Sequence, residues 1–333
     1  MMCGTQSPAV KPNRPTHAAG SMLRLKRELG AITAVIPEGS HIALLDEPVN
    51  RSIGDHLIHL GTERFFLEHN IITVARANLY NYHRRWLGRI IGNDTIIACY
   101  GGGNFGDIHL QHQQLRERLV TDFPDHRIVV LPQSVYFRDT GRMQQAAAVF
   151  RNHADLHLFL RDRRSRQQAE AMRLDNLYLV PDMAHALYPL NGADDPADPR
   201  GETLYLLRRD KERTAAIRVP ERVKAVCDWP DLIHPRDSLT LAAAATACRL
   251  FRRFNPPGFL NSLLDRQRTA LVERAIGLFA GYNQIVTSRL HGALLGLLLG
   301  KRVRLLNSLT GKSHSYYETW LTDHEDCEYA SPL

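Results

Sequence analysis

Short apolar runs alternate with longer amphipathic stretches along almost the whole chain, and no other feature restricts its fold as tightly. "HIALLDE" (41–47), "IITVAR" (71–76), "TIIACY" (95–100), "RIVVLPQ" (127–133), "DLHLFLRD" (155–162) and "NLYLVPD" (176–182) read as strands. Residues 54–69, 79–91, 107–123, 141–153 and 162–173 between them read as helices. A segment rich in Pro, Gly and Asp, 188–202, breaks the rhythm and reads as a linker. The pattern then resumes with strands at 203–209, 223–229, 284–288 and 302–307, helices at 238–254, 257–281 and 291–299, and a last helix starting at Lys312. Strands alternating with helices of this length predict an α/β fold of two Rossmann-like domains, their parallel sheets facing a central cleft. The expected division is a partly disordered leader (1–38), an N-terminal domain (39–187), the linker, and a C-terminal domain (203–333).

At 333 residues the chain exceeds the size at which single cores stop growing. Lys and Arg number 42 against 35 acidic residues, a balance of +7 that suits an anionic partner without choosing one. No nucleic-acid-reading motif accompanies the dispersed cations, so nucleic acid is not expected as a partner. Five scattered cysteines without a C-x-x-C pair argue against a disulfide framework and for a reducing compartment. The first 38 residues lack an apolar core of the secretory kind, and the richest apolar run, 293–299, is about seven residues where ~20 are needed to span a bilayer. A cytoplasmic protein is expected. No His, Cys or carboxylate grouping has metal-ligand spacing, and no metal or cofactor is expected.

Four strand-to-helix junctions hold the unusual residues. In "NRSIGDHL" (50–57), Gly54 permits a tight turn and Asp55 suits a helix N-cap. In "CYGGGNFGDIHL" (99–110), Gly101, Gly102 and Gly103 leave backbone N–H groups free to face a ligand at the start of a helix, and Gly106-Asp107 repeats the Gly54-Asp55 pair. Arg161 leaves a strand directly, where a guanidinium can hold a carboxylate or phosphate by two bonds. Finally, "TSRLHGALLGLLLG" (287–300) sets Arg289 and His291 at the positive end of an apolar helix, where the macrodipole disfavours cations unless an anion joins them. Gly292, Gly296 and Gly300 recur every four residues and mark one helix face for close approach.

Taken together, Gly54-Asp55, "GGGNFGD" (101–107), "LPQS" (131–134), the Arg-Asp-x-x-Ser of 161–165, "VPDMA" (180–184) and "SRLHG" (288–292) resemble the polysaccharide pyruvyl transferase family, in order over about 270 residues. The resemblance implies a GT-B-like arrangement, phosphoenolpyruvate as donor and co-substrate, and a sugar or lipid-linked oligosaccharide as acceptor. It assigns donor binding to Arg289, Leu290 and His291, with Arg161 as a second cation, and catalysis to Arg289 and His291. Lys312, after Gly311, is a further candidate phosphate contact. The acceptor side falls to Gly54, Asp55, Gly101, Gly102, Gly103, Asn104, Asp107, Gln133 and Ser134. A lipid-linked acceptor would make the basic surface useful for peripheral contact at the inner face of the membrane.

The chemistry agrees with these residue types. A dianionic donor needs cations, and moving a proton near pH 7 suits histidine, so His291 is the candidate acid/base or else the group that protonates the leaving phosphate, with Asp107 or Asp55 to deprotonate a sugar hydroxyl. A GT-B glycosyltransferase or sugar-nucleotide epimerase would share these features, as would a non-catalytic binder of anionic polymer.

Overall fold

The computed structural model describes residues 17–190, 203–210, 212–213, 219, 225–253 and 258–330. Seven strands form one sheet: β1 (His41–Leu45), β2 (Ile72–Arg76), β3 (Ile96–Cys99), β4 (Gly102–Gly106), β5 (Ile128–Tyr136), β6 (Leu156–Leu160) and β7 (Asn176–Leu179). Their order is β2-β1-β3-β5-β6-β7, with β4 also paired to β5. The second sheet holds β8 (Thr203–Leu206), β9 (Val226–Cys227), β10 (Gln284–Thr287), β11 (Arg302–Leu306) and β12 (Cys327–Ala330), in the order β12-β11-β10-β8-β9. Every pairing in both sheets is parallel. Parallel neighbours need crossovers, which the helices supply. These are α1 (His17–Glu28), α2 (Ile53–Glu68), α3 (Arg84–Ile90), α4 (Leu110–Asp122), α5 (Thr140–Arg151), α6 (Arg163–Ala171), α7 (Pro235–Leu250), α8 (Gly258–Ala280), α9 (Leu290–Leu298) and α10 (Lys312–Tyr316). The α/β class with parallel sheets is therefore as the rhythm of the sequence predicts.

Several local expectations change. Residues 17–20, read as disordered leader, open α1, and Met22 and Leu25 are buried among residues of the second sheet while Leu29 and Ile32 join the core beneath the first. Of the strand expected at 223–229, residues 223–224 lie outside the described residues and Val226–Cys227 is strand; Asp228 then caps a 3-10 turn, Trp229–Leu232. Strand β12 was not anticipated. Residues 1–16 of the expected leader and 191–202 of the expected linker lie outside the described residues. Cys99, Cys227, Cys248 and Cys327 are free thiols.

One helix ties the two halves together. The amphipathic spacing of α2 sends Ile53 and Leu57 into a core shared with Leu206 and Ile285 of the second sheet, and Ile58, Phe65 and Phe66 into the core under β1. Its Gly61 lies against the turn Met183–Leu187: a Cβ there would stand 2.1 Å from the carbonyl oxygen of Met183. Glycine is required because two backbones touch. Gly61→Ala is expected to force them apart at a cost of about 3 kcal/mol, at the upper end of overpacking effects, read as a lower midpoint in urea unfolding; an unchanged midpoint would refute this packing.

Candidate functional site

The C-terminal ends of both sheets meet around one carboxylate. Asp182, just past β7, is fully buried, and its Oδ2 accepts a 2.6 Å hydrogen bond from Nη1 of Arg161, the residue that follows β6. From the second sheet, α9 brings Nε2 of His291 to 3.3 Å from the same oxygen and 3.4 Å from Arg161 Nη1. Asp182 Oδ1 accepts from the amide of Ala184, and the Asp182 amide donates to the hydroxyl of Tyr316, which also contacts His185 Nε2 at 2.9 Å. Burial works against ionisation of Asp182, yet His291 and Arg161 prevail and hold the carboxyl well below its usual range.

Each neighbour of this trio is itself fixed. Arg161 Nε donates to Ser134 Oγ, and Ser134 Oγ donates to Asp162. Asp162 caps α6, taking the amide and hydroxyl of Ser165 and also the hydroxyl of Ser315 from α10. The Arg-Asp-x-x-Ser spacing thus places its arginine inward and uses the Asp and Ser to lock the turn. Gly54 faces His291, since a Cβ on it would lie 2.6 Å from the ring Nδ1.

The glycine tract takes a form the sequence reading did not foresee. Gly102–Gly106 is strand β4 rather than a loop at a helix mouth, and α4 begins only at Leu110, not at Asp107. A Cβ on Gly106, whose φ is 123°, would stand 1.8 Å from the carbonyl oxygen of Tyr136 on β5. Gly103 differs: it borders cations, with Arg161 Nη2 at 2.9 Å and Lys312 Nζ at 3.5 Å from where its Cβ would be. Gln133 amides hold this strand through Tyr100 and Asn104, and Asn104 Oδ1 also accepts from Arg116.

The remaining candidates divide. Ser52, not Asp55, caps α2; the Asp55 carboxylate accepts from Asn50 Nδ2 at 2.8 Å and stays half-buried beside Gly54. Asp107 Oδ2 accepts the amides of Arg138 and Asp139, pinning the turn before α5. Arg289 occupies the N-cap position of α9 without a side-chain capping bond, and its guanidinium is engaged by Asp228 through two bonds of 2.6 and 2.7 Å and by Asp210 at 3.1 Å. Lys312 is paired with Glu212 at 2.7 Å. Leu290 is buried in the core of the second sheet. Gly292 and Gly296 do meet neighbours closely, Leu206 and Val303, whereas Gly300 has open space and a φ of 64°, the left-handed turn that ends the helix.

Asp182, Tyr316, Asp228 and Glu212 were not singled out from the sequence. Asp182 lay within the noted "VPDMA", but nothing in its spacing tells a buried counterion from a turn residue. A cluster of Glu47, His59 and Glu63 has ligand-type atoms within 4.8 Å of one another, a grouping spread along the chain too widely to read. Arginines answer Glu47, which accepts from Arg76 at 2.8 and 2.6 Å, and Arg76 and Arg268 both bond the neighbouring Asp265 of α8, whereas Oε1 of Glu63 is buried without a hydrogen-bond partner among the described residues. Two guanidiniums at that place disfavour a metal cation and make the cluster an ion-pair junction between the halves.

Comparisons with known proteins place these features in context. A family model described as polysaccharide pyruvyl transferase matches residues 53–308. A putative pyruvyl transferase of Bacillus subtilis, EpsO, is 35% identical over 90% of this chain and 92% of its own. Pyruvyl transferase 1 of Schizosaccharomyces pombe is 28% identical over 84% of this chain and 69% of its own. A crystal structure of a Klebsiella pneumoniae protein, 17% identical, aligns with a TM-score of 0.58 over 92% of this chain and 98% of its own, which speaks to the shared fold.

The buried histidines give the fold a pH dependence. Burial pushes His56 down to about 3 and His59 and His185 down to about 4. In the unfolded chain each takes its proton near pH 6.5, so the stability they contribute is complete above that pH and is lost as pH falls from 6.5 towards 4. The carboxylates with lowered values, such as Asp182 and Glu47, begin to matter only nearer pH 4. Urea unfolding is therefore expected to lose several kcal/mol between pH 7 and 4.5, on the order set by such shifts; a flat midpoint over that interval would contradict the neutral state of these rings.

Proposed function

The chain belongs to the polysaccharide pyruvyl transferase family, and on that footing we propose that it transfers pyruvate from phosphoenolpyruvate to two hydroxyls of a sugar, forming a ketal and releasing phosphate. The observation that carries the reading is the meeting of His291, Arg161 and Asp182 within 3.4 Å at the junction of the sheets. A histidine beside a buried carboxylate is oriented and can give and take a proton. In the reaction C3 of the donor gains a proton, C2 becomes cationic, the C2–O bond to phosphate breaks and two sugar oxygens bond to C2. Two hydroxyl protons leave the sugar; one ends on C3 and the other on phosphate. His291 is assigned the proton transfer, with Asp182 as its positioning residue.

The seat of the donor is assigned to the space beside Gly103, where Arg161 and Lys312 both come near the backbone. The pairing of Lys312 with Glu212 and of Arg289 with Asp210 supports this, because side-chain carboxylates there occupy cations that a phosphate or carboxylate of the donor would take over. Asp228 keeps Arg289 oriented throughout. The half-buried Asp55, next to Gly54 and hence beside His291, is the better placed of the two aspartates to face a sugar hydroxyl, since both backbone amides held by Asp107 belong to a turn. The acceptor is then a sugar lying along Gly54, Asp55 and β4. The reading needs no metal or cofactor. Among the described residues no helix is long and apolar enough to cross a membrane, and free cysteines suit a cytoplasmic location, which we adopt as part of the proposal.

Phosphate release from phosphoenolpyruvate against a panel of sugars tests the assignment. His291→Ala is expected to lower kcat by about 10²–10⁴-fold in a protein that still unfolds cooperatively above the assay temperature, the span ordinary for loss of a general acid/base. Gly103→Ala is expected to raise KM for phosphoenolpyruvate at least tenfold, roughly the effect of moving an anion off two cations. Stabilisation by UDP- or GDP-sugars with none by phosphoenolpyruvate would instead point to a nucleotide-sugar enzyme.

A further inference from the structure

The acidic residues of this chain are distributed unevenly. Residues 69–93 contain no Asp or Glu, and neither do residues 238–264. These two stretches come together in the fold. Tyr80, in the connection from β2 to α3, packs against Leu241, Cys248 and Leu260 of α7 and α8, and Arg249 lies over its ring at 4.4 Å from the centroid. Arg252 Nε donates to the carbonyl oxygen of Tyr82. His83, Arg249, Leu250, Arg252 and Arg253 line one surface depression.

The resulting face is cationic and apolar at once. Arg84, Arg85 and Arg89 on α3 are exposed, as are Arg249, Arg252 and Arg253 at the end of α7. No carboxylate of a described residue pairs with Arg84, Arg85, Arg89 or Arg253. Leu250, 76% exposed, shares the depression with Arg249, Arg252 and Arg253, and Phe259, 67% exposed, precedes Leu260, which packs in one cluster with Cys248 near the end of α7. Isolated exposed apolar residues need no explanation, but two large ones flanking the same helix pair beside six arginines form a patch with a definite chemistry.

We propose that this face docks on a membrane surface carrying anionic lipid headgroups, the arginines meeting the phosphates and Leu250 and Phe259 entering the headgroup layer. Charge complementarity favours that occupant over a second copy of the chain, because an isologous contact would set arginines against arginines. It also favours a bilayer over RNA, whose binding would use the cations and leave the aliphatic Leu250 idle. The connections after β1 and β2 both leave the C-terminal edge of the first sheet, and Val49, just ahead of Asn50 and Asp55, packs on the same α7–α8 cluster. The connection that carries Asp55 therefore leans on the same helix pair that presents the docking face.

Flotation of the full chain with vesicles of phosphatidylglycerol and phosphatidylcholine, against phosphatidylcholine alone, tests the proposal. Binding is expected to anionic vesicles only and to weaken from 50 to 500 mM NaCl. Arg252→Ala/Arg253→Ala is expected to reduce partitioning roughly 25-fold, about fivefold for each cation lost. Leu250→Ser/Phe259→Ser is expected to reduce it on the order of tenfold, with thermal unfolding unchanged for both pairs and phosphate release on a soluble acceptor retained. Equal recovery with neutral vesicles, wild-type partitioning by both variants, retention of RNA without vesicles, or a stable dimer that the same substitutions dissolve would each overturn it.

Discussion

A carboxylate sealed from water must gather cations or surrender its charge. Asp182 gathers them from both halves of the molecule: Arg161 arrives from the end of β6 and His291 from the first turn of α9, while Tyr316 of α10 receives its amide proton. The juncture of the two sheets and the chemistry at the juncture are thus one arrangement. Drawing α9 away would leave Asp182 and Arg161 without their third partner, so the closed relation of the halves is also the condition that keeps His291 in register.

The positive end of α9 illustrates how the chain answers an electrostatic difficulty. Two cation-bearing side chains at a helix N-terminus are unfavourable alone. Here the protein supplies the anions itself, Asp228 and Asp210 for Arg289 and Asp182 for His291. These three carboxylates come from segments far from α9 in the chain. For Arg289 this means a guanidinium held by two carboxylates, Asp228 through two bonds and Asp210 through a third.

Much of the architecture was legible because strand and helix periods repeat and because glycine marks close approach. Gly292 and Gly296 announced the face of α9 that lies on β8 and β11, and Arg161 stood out as a cation leaving a strand. What escaped has physical reasons. A strand of glycines has no side-chain period, so β4 looked like a loop. Asp107 and Asp55 look alike in sequence after a glycine, yet one ties down a turn and the other stays by His291, a difference that depends on partners at Arg138 and Asn50. Asp182 and Glu212 act through residues more than 90 positions away, and a single sequence carries no sign of such pairings.

Helix α1 carries a consequence for how the protein is made. Its Met22 and Leu25 rest in the core of the second sheet, and the amide of Ala18 is held by Glu325. A chain emerging from the ribosome folds its earlier portion first, but α1 cannot reach its resting place until some 300 further residues have been synthesised. Until then Met22 and Leu25 have no second-sheet core to enter, and the docking of the helix follows the formation of that sheet. The docked helix thereby reports that the distant second sheet has formed.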